Sequence, residues 1–149
     1  MLFDIILFTH ILAAAAWIGG SILLFGMGLY FRDKDAQNTV YYYIGPFYGY
    51  FEMIVLIILL ITGGYFINAL SIGKIILHPE MELTKYLYIK ITLVIFITIS
   101  TIIHMYISLK AHGRDRTLKE KLLSRATSLM IFILNLGILW YAIKIRNLI

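Results

Sequence analysis

The chain has 149 residues, 61% of them hydrophobic and only 14% charged, with a formal net charge of +5 and a mean hydropathy of +0.89. A domain of this size has too little polar surface to stay in water at that composition, so a soluble globular fold is excluded and the bilayer is the expected solvent. With no cysteine, disulfides, iron–sulfur clusters, thiolate zinc sites and thioether-linked haem are excluded as well, which leaves histidine, methionine and oxygen as ligand types.

The apolar material suffices for about four spans of roughly 20 residues each. The predicted fold is therefore an all-α integral membrane protein, a single four-helix transmembrane domain over 1–149. Span 1 runs from about Asp4 to Phe31; it starts at once with Leu2-Phe3-Asp4-Ile5, lacks the marks of a removable signal peptide and is expected to be retained. Arg32 to Asn38 reads as a polar loop with helix-capping residues. Span 2 runs from about Ile44 to Leu70, which puts Pro46 in its first turn, where proline is tolerated. A loop with Gly73, His78 and Pro79 leads to span 3, about Leu83 to Leu109, and a basic connector, Lys110 to Arg125, leads to span 4, about Ala126 to Ile145. Tyr41, Tyr42, Tyr43, Tyr48, Tyr50, Tyr86, Tyr88, Trp140 and Tyr141 read as interfacial aromatic belts.

Loops 1 and 3 hold eight Lys and Arg residues between Arg32 and Arg125, against Lys74, Lys85, Lys144 and Arg146 at the opposite surface. The positive-inside rule then places those loops in the cytoplasm and both termini outside, in the periplasm, of a multi-pass protein of the inner (cytoplasmic) membrane. The same bias accounts for the basic charge without a nucleic-acid partner.

Ionisable groups inside spans are costly, and each of His10, Glu52, Lys90 and His104 calls for a functional and a structural reading. On span 1, His10, Ala13, Ala14, Trp17, Gly20, Ser21, Leu24 and Gly28 recur at helical spacing, so the imidazole and indole share a face of small residues. That face is either a packing seam in which His10 hydrogen-bonds to another helix, or a place for a flat cofactor with His10 as axial ligand and Trp17 beside it. On span 3, Lys90, Thr101, His104 and Ser108 form one polar stripe that faces protein. Lys90 either snorkels to the outer surface or acts within the bundle; His104 either bonds between helices or ligates a metal.

Depth discriminates further. His10 and Lys90 each lie about seven residues into their spans, roughly 10 Å at the helical rise, whereas His104 lies some 20 Å deeper. One chain's His10 and His104 are therefore not expected to share a metal. Glu52 and Met53, on a span running the other way, fall closer to the level of His104. Glu52 is expected to pair with His104, take up a proton or face a wet cleft; Met53 is a soft axial ligand or a gap-filling apolar residue. Ser128 and Asn135 are expected to hydrogen-bond between helices. His78 and His112 read as solvated, although His78 with Met81 would make a weak copper site.

The run His10-Ile11-Leu12-Ala13-Ala14-Ala15-Ala16-Trp17-Ile18-Gly19-Gly20 resembles the opening span of two related families, the HemJ-type protoporphyrinogen IX oxidases and the CopD-like copper-resistance membrane proteins. Tyr88-Ile89-Lys90-Ile91-Thr92-Leu93-Val94 looks like the segment that carries the HemJ family's functional lysine. The resemblance implies haem b bound through His10 and activity dependent on Lys90. The Pro-Arg step usual after the tryptophan is replaced by Leu23-Leu24-Phe25-Gly26-Met27-Gly28, which favours a broader HemJ/CopD-like membership over a specific porphyrinogen substrate. The resulting expectation is a membrane-embedded b-type haem redox protein, akin to an oxidoreductase of the HemJ type, which passes electrons to quinone or the respiratory chain. In it Lys90 and Glu52 serve catalysis, while His10, Trp17, Met53 and His104 surround the cofactor. A homodimer fits the small-residue faces. The alternatives are a copper-handling transport protein and a structural subunit of a respiratory complex.

Overall fold

In lipid a backbone can satisfy its own polar groups only by closing i to i−4 bonds, and the runs of Leu, Ile, Phe and Ala in this chain do so throughout. The computed structural model describes residues 1–70, 72–78, 80–110 and 117–148. Its helices are α1 (Leu2–Tyr30), α2 (Lys34–Ala69), the short α3 (Ile72–Ile75), α4 (Glu82–Lys110) and α5 (Leu118–Arg146), and no strand occurs among the described residues. Four of these helices are long and apolar enough to cross a membrane. His112, Arg114 and Arg116 of the basic connector lie outside the described residues, as does Pro79.

α1 and α4 match the predicted spans to within a residue or two, but α2 and α5 begin well before theirs. α2 starts at Lys34, where Asp33 accepts a hydrogen bond from the Asp35 amide at 3.1 Å. Gln37 donates to the Gly28 carbonyl at 3.0 Å and ties the start of α2 to the end of α1. Most of the predicted polar loop is thus helix, and Pro46 sits well inside the 36-residue α2 rather than in its first turn. A proline there adds no N–H to the ladder, a loss that membrane helices absorb through neighbouring groups. α5 starts at Leu118 behind a capping box. The Thr117 side chain accepts from the Glu120 amide at 3.3 Å, and Glu120 accepts from the Thr117 amide at 3.0 Å. Hydropathy marks where lipid begins; these caps mark where the helix begins.

The long helices form a ring in the order α1, α2, α4, α5, each packed on two neighbours. Ala13, Trp17, Val55, Leu56, Ile97 and Ile131, drawn from all four, make the apolar core. Among the described residues, ten buried polar ones nonetheless outnumber the nine buried hydrophobic ones, while Leu, Ile and Phe side chains crowd the outer surface. That inversion is what lipid as solvent produces. At the helix ends Lys110 lies over the Tyr106 ring and Lys144 over the Trp140 ring, 5.6 and 5.5 Å from the centroids, as snorkelling cations do at an interface.

The small-residue face of α1 is partly filled by its own bundle. A Cβ at Gly20 would come within 2.9 Å of the Tyr48 ring, and one at Gly28 within 2.9 Å of the Tyr41 hydroxyl. Tyr48, 8% exposed, is therefore an interior wedge and not a belt residue. Gly20→Val is expected to destabilise the bundle by about 1–3 kcal/mol through overpacking. Gly49→Ala should cost less, because its added carbon meets only the Met105 sulfur, at 2.8 Å, on a flexible side chain. Thermal loss of helicity in detergent measures both, and equal losses would mean that Tyr48 does not hold α1 and α2 in register.

Candidate functional site

One polar layer, toward the end of the bundle where α1 begins, is built on a pair of residues from α1 and α2. Thr62 has one hydroxyl proton, which it donates to the Ile58 carbonyl at 2.7 Å, one turn back along α2, with Leu59 a longer acceptor at 3.3 Å. His10 Nδ1 lies 2.6 Å from the Thr62 oxygen, and the tautomer of the ring sets which of the two donates. With the hydroxyl proton given to the Ile58 carbonyl, the proton of this contact would sit on His10 Nδ1 and Nε2 would keep its lone pair. The Phe66 ring packs edge-on against the imidazole, with centroids 5.5 Å apart and planes at 87°, and Phe3 packs on Phe66 in turn. Gly63 leaves room beside the ring: a Cβ there would stand 3.8 Å from His10 Cε1. Lys90 of α4 is half-buried.

A second polar layer, toward the end of the bundle where α1 ends, spans all four long helices. Asn135 of α5 donates to Ser21 Oγ of α1 at 3.1 Å, and Ser21 Oγ stands 3.5 Å from the Tyr48 hydroxyl of α2. One turn on, Glu52 is 3% exposed, interacts with Tyr48, and places Oε2 3.5 Å from His104 Nδ1 of α4. That is an ion-pair distance without hydrogen-bond alignment, and His104 Nδ1, Thr101 Oγ1, Ser108 Oγ and Trp17 Nε1 are buried with no hydrogen-bond partner. Two cavities adjoin this layer. One, of about 10 Å³, touches Ser21, Tyr48, Glu52 and Ser128 and has the space of a single water. The other, of about 500 Å³, has His104, Tyr48 and Ser108 among its walls and reaches Lys121 and Arg125.

The structure therefore brings Glu52 to His104 and Asn135 to a neighbouring helix, and keeps His104 apart from His10. Met53 packs against the apolar core, the gap-filling arrangement. Trp17 is 3% exposed within that core, enclosed by side chains of the other helices. His78 faces Glu80, with Nδ1 3.1 Å from Oε1. Among the described residues no three His, Cys, Asp or Glu side chains converge.

Haem, the cofactor implied by the resemblance, asks for a neutral imidazole with one free nitrogen and its other N–H engaged by protein. His10 would meet both in the tautomer that carries its proton on Nδ1, toward Thr62. Thr62 was not singled out in the sequence, although its distance from the end of α2 is within one residue of that of His10 from the start of α1, so the same depth count brings the two to one level. No family model, curated protein or solved structure matches the chain.

Asn135→Leu is expected to cost about 0.5–2 kcal/mol, the range for one interhelical hydrogen bond in a membrane. Ser21→Ala added to it should cost little more, since the two share one contact. Fully additive losses in a double-mutant cycle of thermal unfolding would break the proposed link between α1 and α5.

Proposed function

We propose that this protein is a membrane-embedded b-type haem redox protein with His10 as an axial ligand. The observation that supports the reading is the 2.6 Å contact between His10 Nδ1 and Thr62 Oγ1, which with the proton on Nδ1 would leave Nε2 free for a ligand bond and the other ring nitrogen satisfied. The motif around His10 and Trp17, and the segment around Lys90, support it through their resemblance to HemJ-type and CopD-like membrane proteins. Bound haem would supply one-electron chemistry at a site that excludes bulk water.

The chain's own residues do the rest. Thr62 orients the imidazole and raises its basicity as a ligand. Lys90, at the same depth, supplies positive charge or a proton beside a substrate. Phe66 and Phe3 close one side of the ring against water. In this reading the basic loops face the cytoplasm, both termini lie outside the inner membrane, and the electron acceptor is a quinone or a respiratory-chain component. A porphyrinogen is the substrate that the resemblance supplies, and a homodimer is the assembly.

The test is the visible spectrum of the purified protein before and after dithionite, after expression with ample haem. A Soret band that shifts on reduction is expected in the wild type and should be absent in His10→Ala. Thr62→Val should bind haem about 10- to 100-fold more weakly, the usual effect of removing a ligand's supporting hydrogen bond. Lys90→Ala should keep haem and lose turnover. Absence of any reducible band sinks the proposal, and copper binding without a Soret band favours the copper-handling alternative.

A further inference from the structure

The cavity of about 500 Å³ lies away from His10, between α1, α2, α4 and α5, at the end of the bundle where α1 ends and α5 begins. Its lining contains two cations, Lys121 and Arg125, and no carboxylate. The two stand one turn apart in the first turns of α5, where like charges at i and i+4 repel each other and oppose the positive end of the helix dipole. An arrangement that is unfavourable in the empty cavity becomes favourable once an anion joins it.

Ser108 and His104 also line the cavity, with Ser108 Oγ and His104 Nδ1 themselves enclosed behind its wall. The wall supplies a second feature. Part of it is apolar and is shared with the outer face of the bundle: Phe25, Leu29 and Leu129 line the cavity and are 41%, 68% and 48% exposed. A molecule with an anionic head and hydrocarbon tails can therefore enter sideways without leaving the bilayer. Basic pockets between transmembrane helices on the side of the basic loops hold acidic lipid head groups.

We propose that this cavity is a binding site for an acidic phospholipid, its phosphate held between Lys121 and Arg125, and its chains lying against Phe25, Leu29 and Leu129. The site is independent of haem.

Native mass spectrometry of the full-length, delipidated protein tests it, with phosphatidylglycerol, phosphatidylcholine and inorganic phosphate as probes. Phosphatidylglycerol should be retained over phosphatidylcholine by about tenfold or more, from roughly one kcal/mol per cation near an anionic head group. The double variant K121Q/R125Q should lose that preference. Ser128→Trp, which fills the cavity and keeps both cations, should also lose it, whereas K34Q/K119Q, an equal charge change outside the lining, should retain it. Helicity and thermal unfolding are read on every variant, and these surface and cavity-edge changes are expected to leave both near wild type. Equal retention of the two lipids, an unchanged preference in both K121Q/R125Q and Ser128→Trp, or the same loss in K34Q/K119Q would overturn the proposal. Displacement of the lipid by equimolar inorganic phosphate would also overturn it, since the site would then take a soluble anion.

Discussion

A polar side chain inside this bundle has no water to turn to, so it must find its partner on its own helix or a neighbouring one. That constraint organises the structure. Isolated threonines and serines bond back to the carbonyl one turn earlier, as Thr98 does to Val94 and Ser100 to Phe96. Groups that cannot be satisfied that way reach across: His10 to Thr62, Asn135 to Ser21, Glu52 toward His104. These crossings set which helix faces which, because burying apolar area gives little preference among arrangements when the solvent is itself apolar. Shape supplies the remainder, with Tyr48 wedged over Gly20 and Tyr41 over Gly28.

The crossings fall into two layers with different chemistry. On α1, α2 and α4, residues Trp17, Val55, Leu56 and Ile97 lie between them in sequence and form an apolar core. The layer around His10 is small, with Nδ1 2.6 Å from Thr62 and the Phe66 ring edge-on to the imidazole. The layer around Glu52 is larger and incompletely bonded, with a buried carboxylate, unpartnered hydroxyls and an adjoining cavity. An apolar core separates the two.

Much of this was legible in the sequence because membrane helices obey few rules. Hydropathy located the four spans, and the start and end of α4 within a residue. The polar stripe of span 3 turned inward as periodicity required: Thr101 is fully buried and Ser108 nearly so. Counting residues from span ends separated His10 from His104 and placed Glu52 near the latter. Three features escaped for identifiable reasons. The starts of α2 and α5 are set by Asp33 and by the Thr117–Glu120 box, local signals outside the apolar window. Tyr48 carries the composition of a belt residue, and only the gap over Gly20 draws it inside. Thr62 attracts no notice in an Ile-rich helix until its level is compared with that of His10.

The central claim, that Thr62 fixes the tautomer of His10 and so frees Nε2, is open to direct observation by ¹⁵N NMR of the protein labelled at histidine, in lipid and without added haem. The account predicts for His10 a protonated Nδ1 and an unprotonated Nε2, a pattern lost in Thr62→Val. A proton on Nε2 with Nδ1 bare would contradict it, since the nitrogen offered to a cofactor would then be the one already turned toward Thr62.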